Sequence, residues 1–194
     1  EDPQDILDMS LLRIRQLSAH EIGHTIGLAH NYISSAERAA GNQSVMEYPH
    51  PRTTVNPDGT INVDEAYDRG IGRWDEIAIM YGYSDFPEGT DEAAALEAIL
   101  QEGIAEGTTF RPNQGVHPQT GIWDNGDNLA TELDRMMDVR RIALDRFGEA
   151  NIRNGKPIAT MEDVFVPLYL HHRYQVESTV NILGGQYYTF AMRG

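Results

Sequence analysis

The chain reads as mainly α, α+β at most. Apolar residues recur at three- and four-residue intervals along most of its length. Strand-like alternation is confined to two short stretches, 53–63 and 186–192. Most helical stretches are bounded by a capping residue or a glycine.

The first helix is expected from Asp5 or Ser10, either of which can cap it, to about Gly27. Leu7, Leu11, Ile14, Ile22 and Ile26 form one stripe, and His20 and His24 lie about half a turn away at about 100° per residue. That helix needs cover on two faces. A helix or loop follows over 34–41. Asp58-Gly59 between 53–55 and 60–63 predicts a small hairpin. A calcium loop over 54–65, with Gly59, Ile61 and Glu65 in register, is the alternative there, weakened by Pro57 and by the lack of a first aspartate. A short helix is expected after Gly72, with Trp74, Ile77, Ala78 and Tyr81 inward.

Thr90 caps a helix to Ala105 with Leu96, Ile99, Leu100 and Ile104 inward. The stretch 108–127 is a polar loop, expected as a solvated connector. Asp127 caps a helix to Phe147 with Leu129, Leu133, Met136, Met137, Leu144 and Phe147 inward. Thr160 and Asp163 resemble a capping box opening a helix to Leu183, kinked at Pro167 and stopped at Gly184-Gly185. His171 and His172 are adjacent, so they face different directions and cannot share one metal. The expected organisation is 1–89 and 90–194, packed as one unit.

The chemistry lies near the start, in His20-Glu21-Ile22-Gly23-His24-Thr25-Ile26-Gly27-Leu28-Ala29-His30. Residues four apart on a helix sit about 40° apart on one face, so His20 and His24 can grip one cation. Glu21 lies beside that cation and off it, where it can take a proton from water. His30 would point away if the helix continued. Gly27 can adopt the left-handed conformation that ends a helix, and the chain can then bring His30 back as a third ligand. Three imidazoles with an open position describe a catalytic zinc site. An amphipathic helix with incidental histidines is the plain alternative, and the glycine and third histidine in register argue against it.

The phrase Ser44-Val45-Met46-Glu47-Tyr48-Pro49 follows, with Met46 sixteen positions after His30. With it the chain resembles the metzincins, metallopeptidases whose zinc motif is followed by a methionine turn beneath the metal. The resemblance implies that Met46 is the structural turn methionine and that Tyr48 stabilises the oxyanion. HEIGHTIGLAHN, SVMEYP, AYDRGIGRWDEIAIMYGY, LDRMMDVRRIAL and LHHRYQVESTVNILGGQYYTFAMRG are similar to a bacterial Met-zincin family. It implies an active-site helix and methionine turn followed by a helical C-terminal subdomain, zinc as cofactor, a protein or peptide substrate, and a periplasmic, cell-surface or secreted location. Metzincins place a β subdomain before the active-site helix, and the nineteen residues preceding His20 are too few for one. The expectation is that this N-terminal part of the same protein is missing here, and that the Leu11, Ile14 and Ile22 face is under-packed. The interval from His30 to Met46 is short for the clan and limits the cleft wall on that side.

A net charge of −15 with Lys156 as the sole lysine argues against a nucleic-acid partner. The most apolar region, 164–183, carries Arg173, Glu177 and two histidines and does not read as a membrane span. Without cysteines there are neither disulfides nor thiolate metal ligands. These readings converge on a zinc-dependent endopeptidase with Glu21 as general base. The rivals are a non-catalytic binding or scaffold module that retains a zinc site, and a helical interaction platform carrying the protease as passenger.

Overall fold

The computed structural model describes residues 3–36 and 43–188. Among them the architecture is mainly α: α1 (Pro3–Thr25), α2 (Arg73–Tyr83), α3 (Glu92–Ala105), α4 (Leu129–Asp145), α5 (Met161–Tyr169) and α6 (Arg173–Gly184). Strands β1 (Thr54–Val55) and β2 (Ile61–Asn62) make one antiparallel hairpin, with Val55 opposite Ile61. Gly59 takes a positive φ at its turn, and Asp58 accepts from the backbone N–H and hydroxyl of Thr60. The Asp58 carboxylate is thereby part of the turn, so the hairpin reading holds over the calcium-loop one.

The α1 helix starts at Pro3, earlier than either expected cap. Proline is suited to a first turn because its missing N–H would have no partner there. Ser10 instead donates back to the Ile6 carbonyl. The Leu12, Gln16 and His20 face of α1 is buried, and Leu12 packs with Ala66, Tyr67 and Met9. The Leu7, Leu11, Ile14 and Ile22 face is 51–60% exposed, the under-packing expected where the family resemblance implies a preceding β subdomain.

Helix caps shift by one residue from the sequence reading. Asp91, not Thr90, accepts from Ala94 N–H, and Asn128, not Asp127, accepts from Ala130 and Thr131. Inward faces are partly as expected. Met136, Leu129 and Val139 are buried in α4, whereas Met137 is exposed. On α2, Tyr81 is exposed, and Asp75 is buried in its stead. On α3, Leu100 and Ile104 are exposed, because Gly103 sits on the buried side against Ile77 of α2.

The single helix expected from Thr160 to Leu183 is two. After Tyr169 the chain turns through residues 170–172, with Leu170 N–H on Val166 and His171 N–H on Leu168, before α6 begins. Pro167 lies inside α5, and Thr160 donates to the Pro157 carbonyl and does not cap. Helix α4 packs against both α5 and α6, and Phe147 meets Phe165. His171 lies against His50 with the rings tilted, 5.1 Å between ring centres; burial and the neighbouring ring lower the His50 pKa to about 4. Of the expected 34–41 and 186–192 stretches, 37–41 and 189–192 lie outside the described residues. Residues 185–188 are irregular and joined to Val116 through the Gln186 N–H.

Candidate metal centre

The end of α1 carries out the turn its spacing predicts. Gly27 takes φ +89°, its N–H bonds the His24 carbonyl, and Leu28 N–H bonds the Gly23 carbonyl. That pair of bonds is the Schellman arrangement, in which a left-handed residue satisfies the last helical carbonyls. Beyond it the chain reverses and His30 faces the helix it has just left.

His20, His24 and His30 each offer a ring nitrogen, and these atoms lie within 4.8 Å of one another. Ring centres are 4.7 Å apart for His20–His24 and His24–His30, and 5.2 Å for His20–His30. Two of the tautomers are set by backbone carbonyls. His20 Nδ1 lies 2.7 Å from the Val45 oxygen and His24 Nδ1 3.0 Å from the Leu28 oxygen. A carbonyl can only accept, so each Nδ1 carries the proton and each Nε2 keeps a lone pair for a cation. His24 Nε2 lies 3.1 Å from His30 Nε2, which shows where these lone pairs meet. Burial first, then the neighbouring His24 and His20, lower the His30 pKa and favour the neutral ring that a metal needs. The donor set fits zinc: three imidazoles converge on one point, the set of a catalytic site.

Glu21 is exposed, and its carboxylate is close enough to act on His30 electrostatically. The Tyr48 hydroxyl lies 2.9 Å from His30 Nε2, and its ring is 5.1 Å from His20 and 4.9 Å from His30. Met46 is fully buried, directly under Gly23 of α1. A Cβ built on Gly23 would collide with the Met46 sulfur. Gly23→Ala should therefore destabilise the fold by about 1–3 kcal/mol through overpacking, against a helix-propensity gain of about 1 kcal/mol. Urea unfolding checks this. A midpoint that rises would mean that α1 and the turn are not in close contact.

Several residues that position the centre escaped the sequence reading. Asp75 of α2, buried, holds the turn from below: it accepts from Ser44 Oγ (2.6 Å), Val45 N–H (2.9 Å) and Gly72 N–H (2.7 Å). Burial raises its pKa, and these three bonds work in the opposite direction. An acid three residues after a helix-starting glycine was the available signal. Because Val45 also accepts from His20, Asp75 orients a ring it never touches. Asn31 is buried and ties the reversed chain to the later loop, donating to the Thr109 carbonyl and accepting from Arg111 N–H.

The 108–127 loop is accordingly not a solvated connector. His117, Pro118, Thr120, Asp124 and Asn125 are buried, and Asn125 donates to the His50 carbonyl. Polar loops become interior when side-chain amides satisfy their backbone neighbours. Trp123 takes φ +61°, a conformation that costs a bulky residue about 1–3 kcal/mol and clusters at functional sites. Its N–H donates to the Tyr48 carbonyl at 2.9 Å, and its ring lies 5.8 Å from the Tyr48 ring. Gln175 Nε2 holds the Trp123 carbonyl at 2.7 Å.

No helix among the described residues is long and apolar enough to cross a membrane. Comparison with curated proteins and with solved structures returned no match. A family model described as Met-zincin matches residues 3–194, essentially the whole chain. With that match and three histidines gathered around the glycine-ended helix, the chain belongs to the Met-zincin family.

Proposed function

We propose that the chain carries the catalytic centre of a zinc-dependent endopeptidase, and the observation that supports this most is the convergence of His20, His24 and His30. Those three imidazoles would hold zinc, which supplies the Lewis acidity that acidifies water and polarises a carbonyl. Glu21 serves as general base: its exposed carboxylate takes the proton of the attacking water and returns a proton to the leaving amine nitrogen. The Tyr48 hydroxyl, already at the edge of the imidazole cluster, donates a hydrogen bond to the oxygen of the attacked carbonyl as negative charge develops there. Met46 acts as the methionine-turn residue, packing under Gly23 so that the histidines keep their spacing. Trp123 and Asp75 are positioning residues, the first for Tyr48 and the second for His20 through Val45.

The exposed Leu7, Leu11, Ile14 and Ile22 face supports an apolar partner for α1. From the family resemblance we infer a preceding part of the same protein there, and a periplasmic, cell-surface or secreted setting. The test is cleavage of an unstructured protein such as casein by the full-length protein. Activity should vanish with a chelator and return with zinc, and Tyr48→Phe should lower kcat with metal content unchanged. Zinc uptake without cleavage of protein or peptide would favour a binding module that retains a metal site. Cleavage indifferent to chelation would exclude the zinc mechanism.

A further inference from the structure

The imidazoles of His20 and His24 each direct Nδ1 at a main-chain carbonyl, Val45 and Leu28, so those partners do not depend on any side chain. His30 differs. Its Nε2 lies 3.1 Å from His24 Nε2 and 2.9 Å from the Tyr48 hydroxyl, which marks that nitrogen as the one facing the centre. Its Nδ1 lies behind, and the partner there is a side chain, the Tyr32 hydroxyl at 3.3 Å. The Tyr32 ring centre is 5.4 Å from that of His30. Two phenols therefore meet the two nitrogens of one ring, with their own ring centres 6.1 Å apart.

Tyr32 is only two residues past His30, yet what aims it is remote in sequence. Its N–H donates to the Arg111 carbonyl at 2.9 Å. Asn31, wholly buried next to it, donates its own N–H to the Met46 carbonyl at 3.0 Å and joins Thr109 and Arg111 through its carboxamide. The main chain at 31–32 is thus bonded on one side to the turn under the histidines and on the other to 109–111. A half-buried phenol on so fixed a mount keeps its oxygen at the back of His30.

A neutral imidazole carries one proton, and a nitrogen that binds a cation cannot hold it. With Nε2 on the centre, the His30 proton belongs on Nδ1, where it needs an acceptor. A phenol oxygen accepts as well as donates. Resting on the zinc reading above, we propose that Tyr32 is the positioning residue of the third ligand: its hydroxyl accepts the His30 Nδ1 proton and holds the Nε2 lone pair on the centre. Outer partners of this kind fix the tautomer and orientation of a ligand histidine and raise its basicity. Of the three ligands, His30 is the one whose partner can be removed by changing a side chain. It is also the one that stands outside α1, so helix geometry does not aim it.

The test is the zinc Kd of Tyr32→Phe against the wild type, by competition with a chromophoric chelator. Phenylalanine keeps the ring beside His30 and Tyr48 and deletes only the oxygen. Zinc affinity should fall about 10- to 100-fold, the usual cost of losing such a partner, while the Tm of the zinc-free protein moves little. Tyr48→Phe, which deletes the phenol on the other nitrogen, should keep its zinc. Nitrogen-15 NMR of the zinc-loaded histidines separates positioning from packing. The His30 Nδ1 proton, protected in the wild type, should exchange rapidly with water in Tyr32→Phe, with those of His20 and His24 unchanged. An unaltered Kd overturns the proposal, and so does a weaker Kd with the His30 proton unmoved, which would make the loss one of packing. Should the variant not fold, the wild-type spectrum decides: coordination of His30 through Nδ1, or an Nδ1 proton in free exchange, overturns it. A wild type that takes up no zinc would fail the zinc reading itself, and this assignment with it.

Discussion

Glu21→Ala should keep its zinc and lose roughly 10²–10⁴ in turnover, the usual contribution of a positioned general base. Position 21 makes the experiment clean. The side chain is exposed, and alanine is the residue best suited to a helix interior, so the fold should change by less than about 0.5 kcal/mol. The metal-facing nitrogens belong to His20, His24 and His30, whose orientations are set by Val45, Leu28 and their neighbours and not by Glu21. Elemental analysis, Tm and the rate of casein cleavage are to be measured on the same preparation. Undiminished cleavage would remove Glu21 from the mechanism; loss of zinc along with activity would make it a structural residue.

Replacing His24 with alanine should empty the centre. Of the two helical histidines it is the better choice. His20 is buried and bonded to Val45, so its removal also leaves a cavity under the turn. His24 is exposed, and its bonds are to the nearby Leu28 carbonyl and to His30 of the same cluster. Two remaining imidazoles are too few for the three-ligand catalytic set. At zinc a thousandfold above the wild-type Kd, metal-linked stabilisation of about 4 kcal/mol should disappear. Elemental analysis and the difference in Tm with and without zinc read this directly. Full occupancy in the variant would strike His24 from the ligand set.

Both expectations start from residues that could be placed before any coordinates. A helix repeats every 3.6 residues, so His20 and His24 had to share a face, and glycine takes the φ that Gly27 adopts without steric cost. The apolar stripe on α1 was legible for the same reason, its exposure only through the family resemblance, and the hairpin from its turn residues Asp58-Gly59. The break between α5 and α6 was not. It falls at 170–172, after apolar spacing that continues across it, and only its packing on α4 distinguishes two helices from one. Caps were misplaced by a single position because Thr90 and Asp91, like Asp127 and Asn128, are adjacent residues that can each cap a helix.

By itself the sequence determined what local geometry controls: a helix stopped at Gly27 and three imidazoles in register with a free carboxylate beside them; the turn containing Met46 and Tyr48 was implied only by the family resemblance. The tertiary structure alone decided which nitrogen of His20 is protonated, that Asp75 carries the turn and that Trp123 presses on Tyr48. Those contacts join segments 25 or more residues apart in most cases. Distance along the chain imposes no period and no required residue type, so nothing in a single sequence marks them until the backbone has folded.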